Sequence, residues 1–222
     1  MAFPRPQAVV FDLDGLIFNT EDLYQEVGGE LLKRRGKVFS GDLLDAMMGR
    51  PADVSLKIMI DWHALDDTVE RLAAETDEIF ATLLDQRLDV MPGFWDLIGR
   101  LEAAGVPKAI ATSSGSAFVS DVLGRFDLAP RFDFVLTCED VMQGKPHPEV
   151  YLLAAQRFGV PPGEMVVLED SQNGCRAAVA AGALAVAVPA GHSRRHDFAG
   201  AALVAETLAD PRLMALLQLP SS

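Results

Sequence analysis

The chain has 222 residues, half of them hydrophobic, with 19 basic against 32 acidic residues and a formal charge of -13. That length and apolar content support a sizeable core with room for a smaller inserted domain, while the acidic balance argues against a nucleic-acid footprint or a polybasic membrane patch. Cys138 and Cys175 stand far apart without CxxC or Cys/His spacing, which argues against a disulfide framework or a structural zinc site.

The opening "MAFPRPQ" shows no charged leader followed by an apolar segment. No run approaches the ~20 apolar residues of a membrane-spanning helix. A reducing, cytoplasmic setting and a monomer are expected. "AVVFDL", from Ala8, is a continuous apolar run of strand length, as in strands buried on both faces. From about Glu21 to Met91 the pattern offers helices with no intervening strand. Within it, "VERLAAETDEIFATLLDQRL" places Leu72, Ile79, Phe80, Leu83 and Leu88 on one apolar helical stripe. A helical cap over residues 21–91 is therefore expected, inserted into a core built from 1–20 and 92–222, with the chain returning at "VMPG".

From there strand and helix alternate. The helical patterns "GFWDLIGRLEAAG", "SAFVSDVLGRF", "HPEVYLLAAQRFG" and "NGCRAAVAAG" separate the apolar runs "VPKAIATS", "FDFVLTCED", "MVVLED" and "ALAVAVP". Several helices close on glycine, as helix C-termini often do. The alternation predicts an α/β fold, a Rossmann-like doubly wound parallel sheet with the helical-bundle cap inserted. The basic run in "GHSRRHD" beyond the last of these strands reads as a surface loop.

Acidic, hydroxyl and basic residues recur where these runs end, and open parallel sheets bind ligands outside the carboxyl ends of their strands. Asp12 and Asp14 point the same way from an extended segment, and Gly15 permits a tight departure toward Thr20. An ionised pair near a core needs a cation or donors opposite. In "ATSSG", Thr112, Ser113 and Ser114 precede a helix, where hydroxyls and free N–H groups form an anion site or an ordinary N-cap. Lys145, in "GKPHPE", is a natural counterion for phosphate or for crowded carboxylates. Glu169 and Asp170, in "VVLEDSQNG", bring the carboxylates to four, a set that repels itself without a divalent cation. Oxygen donors without His or Cys favour Mg2+.

With "DLDGLIFNT", "ATSS", "GKPHP" and "LEDSQNG" in this order, the chain resembles the haloacid dehalogenase-like superfamily of phosphohydrolases over nearly its whole length. The inserted segment looks like the helical cap of the branch containing sugar phosphomutases, phosphoglycolate phosphatase and pseudouridine-5'-phosphatase. The resemblance implies that Asp12 is a nucleophile that forms an aspartyl-phosphate and that Asp14 is the general acid and base. It gives Thr112 and the Ser113 backbone the phosphoryl oxygens, and Lys145 their neutralisation. Mg2+ is then held by Asp12, the Asp14 carbonyl, Asp170 and Glu169, and the Lys145–Pro146 bond is cis. A phosphatase acting on a small phosphorylated metabolite is the expectation. The alternatives are a sugar phosphomutase and a non-catalytic phospho-ligand binder. Against the mutase, Tyr24 stands where that branch carries a histidine, and Ala52 stands near where it carries an arginine, with Arg50 displaced. Asp14 and Asp170 argue against a dehalogenase. Glu21, Tyr24, Arg50 and Lys57 are the cap candidates for substrate choice, with Ser114, Ser116 and Asn173 on the core side.

Overall fold

The computed structural model describes residues 6–47, 50 and 52–219; the ends of the expected core segments, 1–5 and 220–222, lie outside the described residues. The chain forms two compact units, one from Met1–Phe18 and Val90–Ser222, the other Asn19–Asp89. Both crossings fall two residues before the expected 21–91 insertion. Asn19 gives the reason. Its amide Nδ2 donates to the Arg87 carbonyl (3.0 Å), its Oδ1 accepts from Asp89 N–H (2.9 Å), and its own N–H donates to the Asp89 carbonyl (3.1 Å). The entering and leaving chains are thus tied together within the helical unit.

The larger unit is a six-stranded sheet of β1 (Ala8–Phe11), β2 (Lys108–Ala111), β3 (Val135–Leu136), β4 (Met165–Glu169), β5 (Leu184–Ala187) and β6 (Leu203–Val204). Its order is β3-β2-β1-β4-β5-β6, with every pairing parallel. Helices α5 (Phe94–Ala103), α6 (Ser116–Arg125), α7 (Glu149–Phe158) and α8 (Gln172–Ala180) alternate with the strands, as the pattern predicts, and α9 (Pro211–Leu216) ends the described chain. One face of β1 presents Ala8 and Val10 to Tyr151 and Ala154 of α7 and Ala177 and Ala178 of α8. From the other face Phe11 meets Phe94 of α5 edge-on, with ring centroids 6.3 Å apart. Burial on both sides explains why β1 reads as an unbroken apolar run. β6 and α9 lie outside the sequence-based expectation.

The smaller unit packs α1 (Thr20–Arg34), α2 (Gly41–Met47), α3 (Ala52–His63) and α4 (Val69–Arg87) around Val27, Leu31, Leu43, Met59, Leu72 and Ile79. The expected α4 stripe differs at its end. Leu84 is buried, whereas Leu88 caps the helix in extended conformation and lies past its last turn. Beside this core Arg35 binds Asp67 (2.6 Å) and grips Glu75 with two nitrogens (2.9 and 3.1 Å), tying the end of α1 to α4. No helix among the described residues is long and apolar enough to cross a membrane.

Candidate active site

The register of the three central strands sets the site. Phe11 pairs with Ile110 on one side and Leu168 on the other, so Asp12, Thr112, Glu169 and Asp170 emerge together at the carboxyl edge. Asp12 N–H still donates to the Leu168 carbonyl (3.0 Å), which pins its main chain to the sheet. Gly15, at φ 74, then turns the chain, and Gly15 N–H donates to the Phe18 carbonyl (2.9 Å). Only glycine adopts that conformation without strain.

Lys145 reaches this edge with its Nζ donating to Asp12 Oδ1 (2.5 Å), Glu169 Oε1 (2.6 Å) and the Ala111 carbonyl (2.9 Å). Three acceptors use all three ammonium hydrogens. Burial alone would favour a neutral amine, but the Asp12 and Glu169 charges outweigh it and hold the Lys145 pKa well above its ordinary value. Burial pushes the Asp12 carboxyl up, with Glu169 and Asp14 adding to the effect and Lys145 opposing it. The Lys145–Pro146 bond is cis, and Glu149 braces the loop before it by accepting from Met142 and Gln143 N–H (2.8 and 3.0 Å).

Glu169, expected as a cation ligand, also holds Lys145. Its Oε1 accepts from Lys145 and from the Tyr151 hydroxyl (2.5 Å), and its Oε2 accepts from Ser171 Oγ (3.0 Å) and N–H (3.3 Å). These donors fix the orientation of the Glu169 carboxylate. Ser171 also caps α8, accepting from Gly174 N–H (3.0 Å). A Cβ on Gly174 would lie 1.8 Å from Glu169 Oε1, so the glycine makes room for the carboxylate.

At the end of β2, Thr112 and Ser114 turn toward Asp14. Ser114 Oγ donates to Asp14 Oδ2 at 2.6 Å and Thr112 Oγ1 at 3.3 Å, while Ser114 N–H donates to Thr112 Oγ1 (3.0 Å). Ser113 is exposed beside them, and Ser116 N–H is capped by Glu139 (3.0 Å). Asn173 is exposed in the first turn of α8. In the helical unit Glu21 and Arg50 are exposed, Tyr24 stacks on Phe80 with centroids 4.2 Å apart, and Lys57 pairs with Asp61 (2.5 Å). Tyr151, Ser171 and Gly174 escaped the sequence reading. Tyr151 sits inside an amphipathic helix, where an aromatic reads as core.

Asp12, Glu169 and Asp170, all buried, each offer an oxygen within 4.8 Å of the others. Such crowding calls for more positive charge than one ammonium supplies, and an all-oxygen set suits a hard divalent cation.

Residues 9–188 match the family model of haloacid dehalogenase-like hydrolases. The chain belongs to this family. Among haloacid dehalogenase-like relatives, the phosphorylated carbohydrates phosphatase of Thermotoga maritima is 34% identical over 180 residues, 79% of this chain and 82% of its own. The "Probable pseudouridine-5'-phosphatase" of Drosophila melanogaster is 33% identical over 207 residues, covering 90% of this chain and 89% of its own. The crystal structure of a family hydrolase from Deinococcus radiodurans, with bound phosphate and sodium, superposes with a TM-score of 0.82 at 26% identity, covering 98% of this chain and 99% of that one.

Proposed function

We propose that this hydrolase is a Mg2+-dependent phosphatase of small phosphomonoesters, phosphorylated carbohydrates or similar metabolites, acting through a phosphoryl group carried on Asp12. The observation that carries the reading is Asp12 itself, a buried carboxylate at a strand end whose Oδ1 is held 2.5 Å from the Lys145 ammonium. An Asp12 oxygen attacks phosphorus, the ester P–O bond breaks, and Asp14 gives its proton to the leaving oxygen. Water then attacks the phosphorus of the aspartyl-phosphate, Asp14 takes the water's proton, and inorganic phosphate leaves with Asp12 restored. Lys145, Thr112 and the Ser113 backbone hold the phosphoryl oxygens. Mg2+ would be held by Asp12, the Asp14 carbonyl, Asp170 and Glu169, and when bound supplies positive charge to the phosphoryl oxygens. Ser114, Asn173, Glu21, Tyr24 and Arg50 are assigned to substrate choice. A cytoplasmic setting fits the two free thiols, Cys138 and Cys175, and the enzyme is assigned as a monomer.

The test is phosphate release across sugar phosphates, phosphoglycolate and nucleotide monophosphates, with Mg2+, with EDTA, and in Asp12→Asn. Release that needs Mg2+ and vanishes in D12N is expected. Release that survives D12N, or isomerisation of a sugar phosphate without release, refutes the proposal.

A further inference from the structure

We infer that Tyr151 is a positioning residue that keeps the Lys145 ammonium against Asp12 by holding Glu169, an inference that rests on the phosphatase reading above. Tyr151 is fully buried on the face of α7 that packs on the sheet, among Ala154, Ala155 and Val167. A phenol hydroxyl in such surroundings needs a partner, and the one it has is Glu169 Oε1 at 2.5 Å, the same oxygen that accepts from Lys145 at 2.6 Å. The face of its ring lies under the ammonium, with Nζ 5.1 Å from the centroid, a favourable placement for a cation. One side chain therefore contacts both members of the ion pair behind the nucleophile.

Removing the hydroxyl leaves a buried carboxylate one donor short. Glu169 then has only Lys145 and Ser171 to turn toward, and any rotation draws the ammonium away from Asp12 Oδ1. Phenylalanine is the informative substitution, because it keeps the ring beneath the ammonium and deletes one oxygen. Outer-shell partners of this kind cost about ten- to a hundredfold in activity when removed.

The experiment uses the full chain with Mg2+ and p-nitrophenyl phosphate, in wild type, Tyr151→Phe, Glu169→Gln and the double variant. Single-turnover rate constants, measured with enzyme in excess, report the chemical step of folded molecules whatever fraction has misfolded. Y151F is expected to lower kcat and the single-turnover rate constant together by about tenfold, with KM within about twofold. The double variant is expected to lose no more than E169Q, since Tyr151 acts through Glu169. A Y151F rate constant within twofold of wild type overturns the inference, as does a double variant whose loss is the product of the two single losses. Wild type without turnover of any phosphomonoester would overturn the phosphatase reading, whereas an active wild type beside an unimpaired Y151F overturns only the role of Tyr151.

Discussion

Gly174→Ala is the substitution for which helix propensity and tertiary packing disagree most sharply. Gly174 lies in the first turn of α8 with ordinary helical backbone, so propensity alone makes alanine better by about 1 kcal/mol. The new methyl would sit 1.8, 1.9 and 2.1 Å from Oε1, Cδ and Oε2 of Glu169. Ordinary contact begins near 3.4 Å, so methyl and carboxylate must separate by 3.4 minus 1.8, about 1.6 Å. Glu169 cannot yield freely, because Lys145, Tyr151 and Ser171 hold it. Overpacking costs about 1–3 kcal/mol, and disturbing a buried ion pair adds to it, so packing outweighs propensity. A net destabilisation of about 2–4 kcal/mol in urea unfolding is expected. Turnover should fall on the order of a hundredfold, because displacement of Glu169 carries Lys145 with it. Gly29→Ala in α1, where a Cβ meets nothing within 4 Å, is the control and should gain up to about 1 kcal/mol. G174A with wild-type turnover and a stability gain matching G29A would refute the packing argument.

Ser114→Ala removes the 2.6 Å bond to Asp14 and should lower kcat by about tenfold, whereas Ser113→Ala, which deletes an exposed hydroxyl, should leave it within about twofold; steady-state kinetics on both variants checks the contrast. Arg35→Met should destabilise the helical unit by about 1–2 kcal/mol in urea unfolding, less than a fully buried pair, because Glu75 keeps 22% side-chain exposure. Hydrogen bonds from Arg35 hold the Asp67 and Glu75 carboxyls below their ordinary values. Their contribution is complete above the unfolded values near pH 4 and is lost as pH falls through the lower folded ones. The gap in urea midpoint between wild type and R35M should therefore shrink from pH 7 to pH 3, and a constant gap would exclude the ion-pair explanation.

The architecture was legible because its signals are local. Val9 and Val10 lie in a run buried on both faces, and Leu72 and Ile79 recur at a helical period; both properties can be counted along the chain. The divergences lie where local signals fail. Leu203–Val204 forms a sheet-edge strand that the alternating pattern does not announce, and Leu88 falls off the stripe because α4 ends at Arg87. The clustering of Asp12, Thr112, Lys145 and Asp170 could be anticipated from the rule that strand ends of a parallel sheet share one edge.

By itself the sequence determined the succession of strands and helices and the chemical types set at each strand end. Periodicity and polarity belong to each segment alone. The tertiary structure decided which partner each group keeps. Glu169 is claimed by donors from residues 145, 151 and 171, and Asp14 by hydroxyls from the end of β2. Hydrogen-bond valence is finite, and only the folded arrangement determines which of several distant donors reach a carboxylate's few lone pairs. That is why a carboxylate expected to bind a metal also anchors a lysine, and a tyrosine buried in the core supports both.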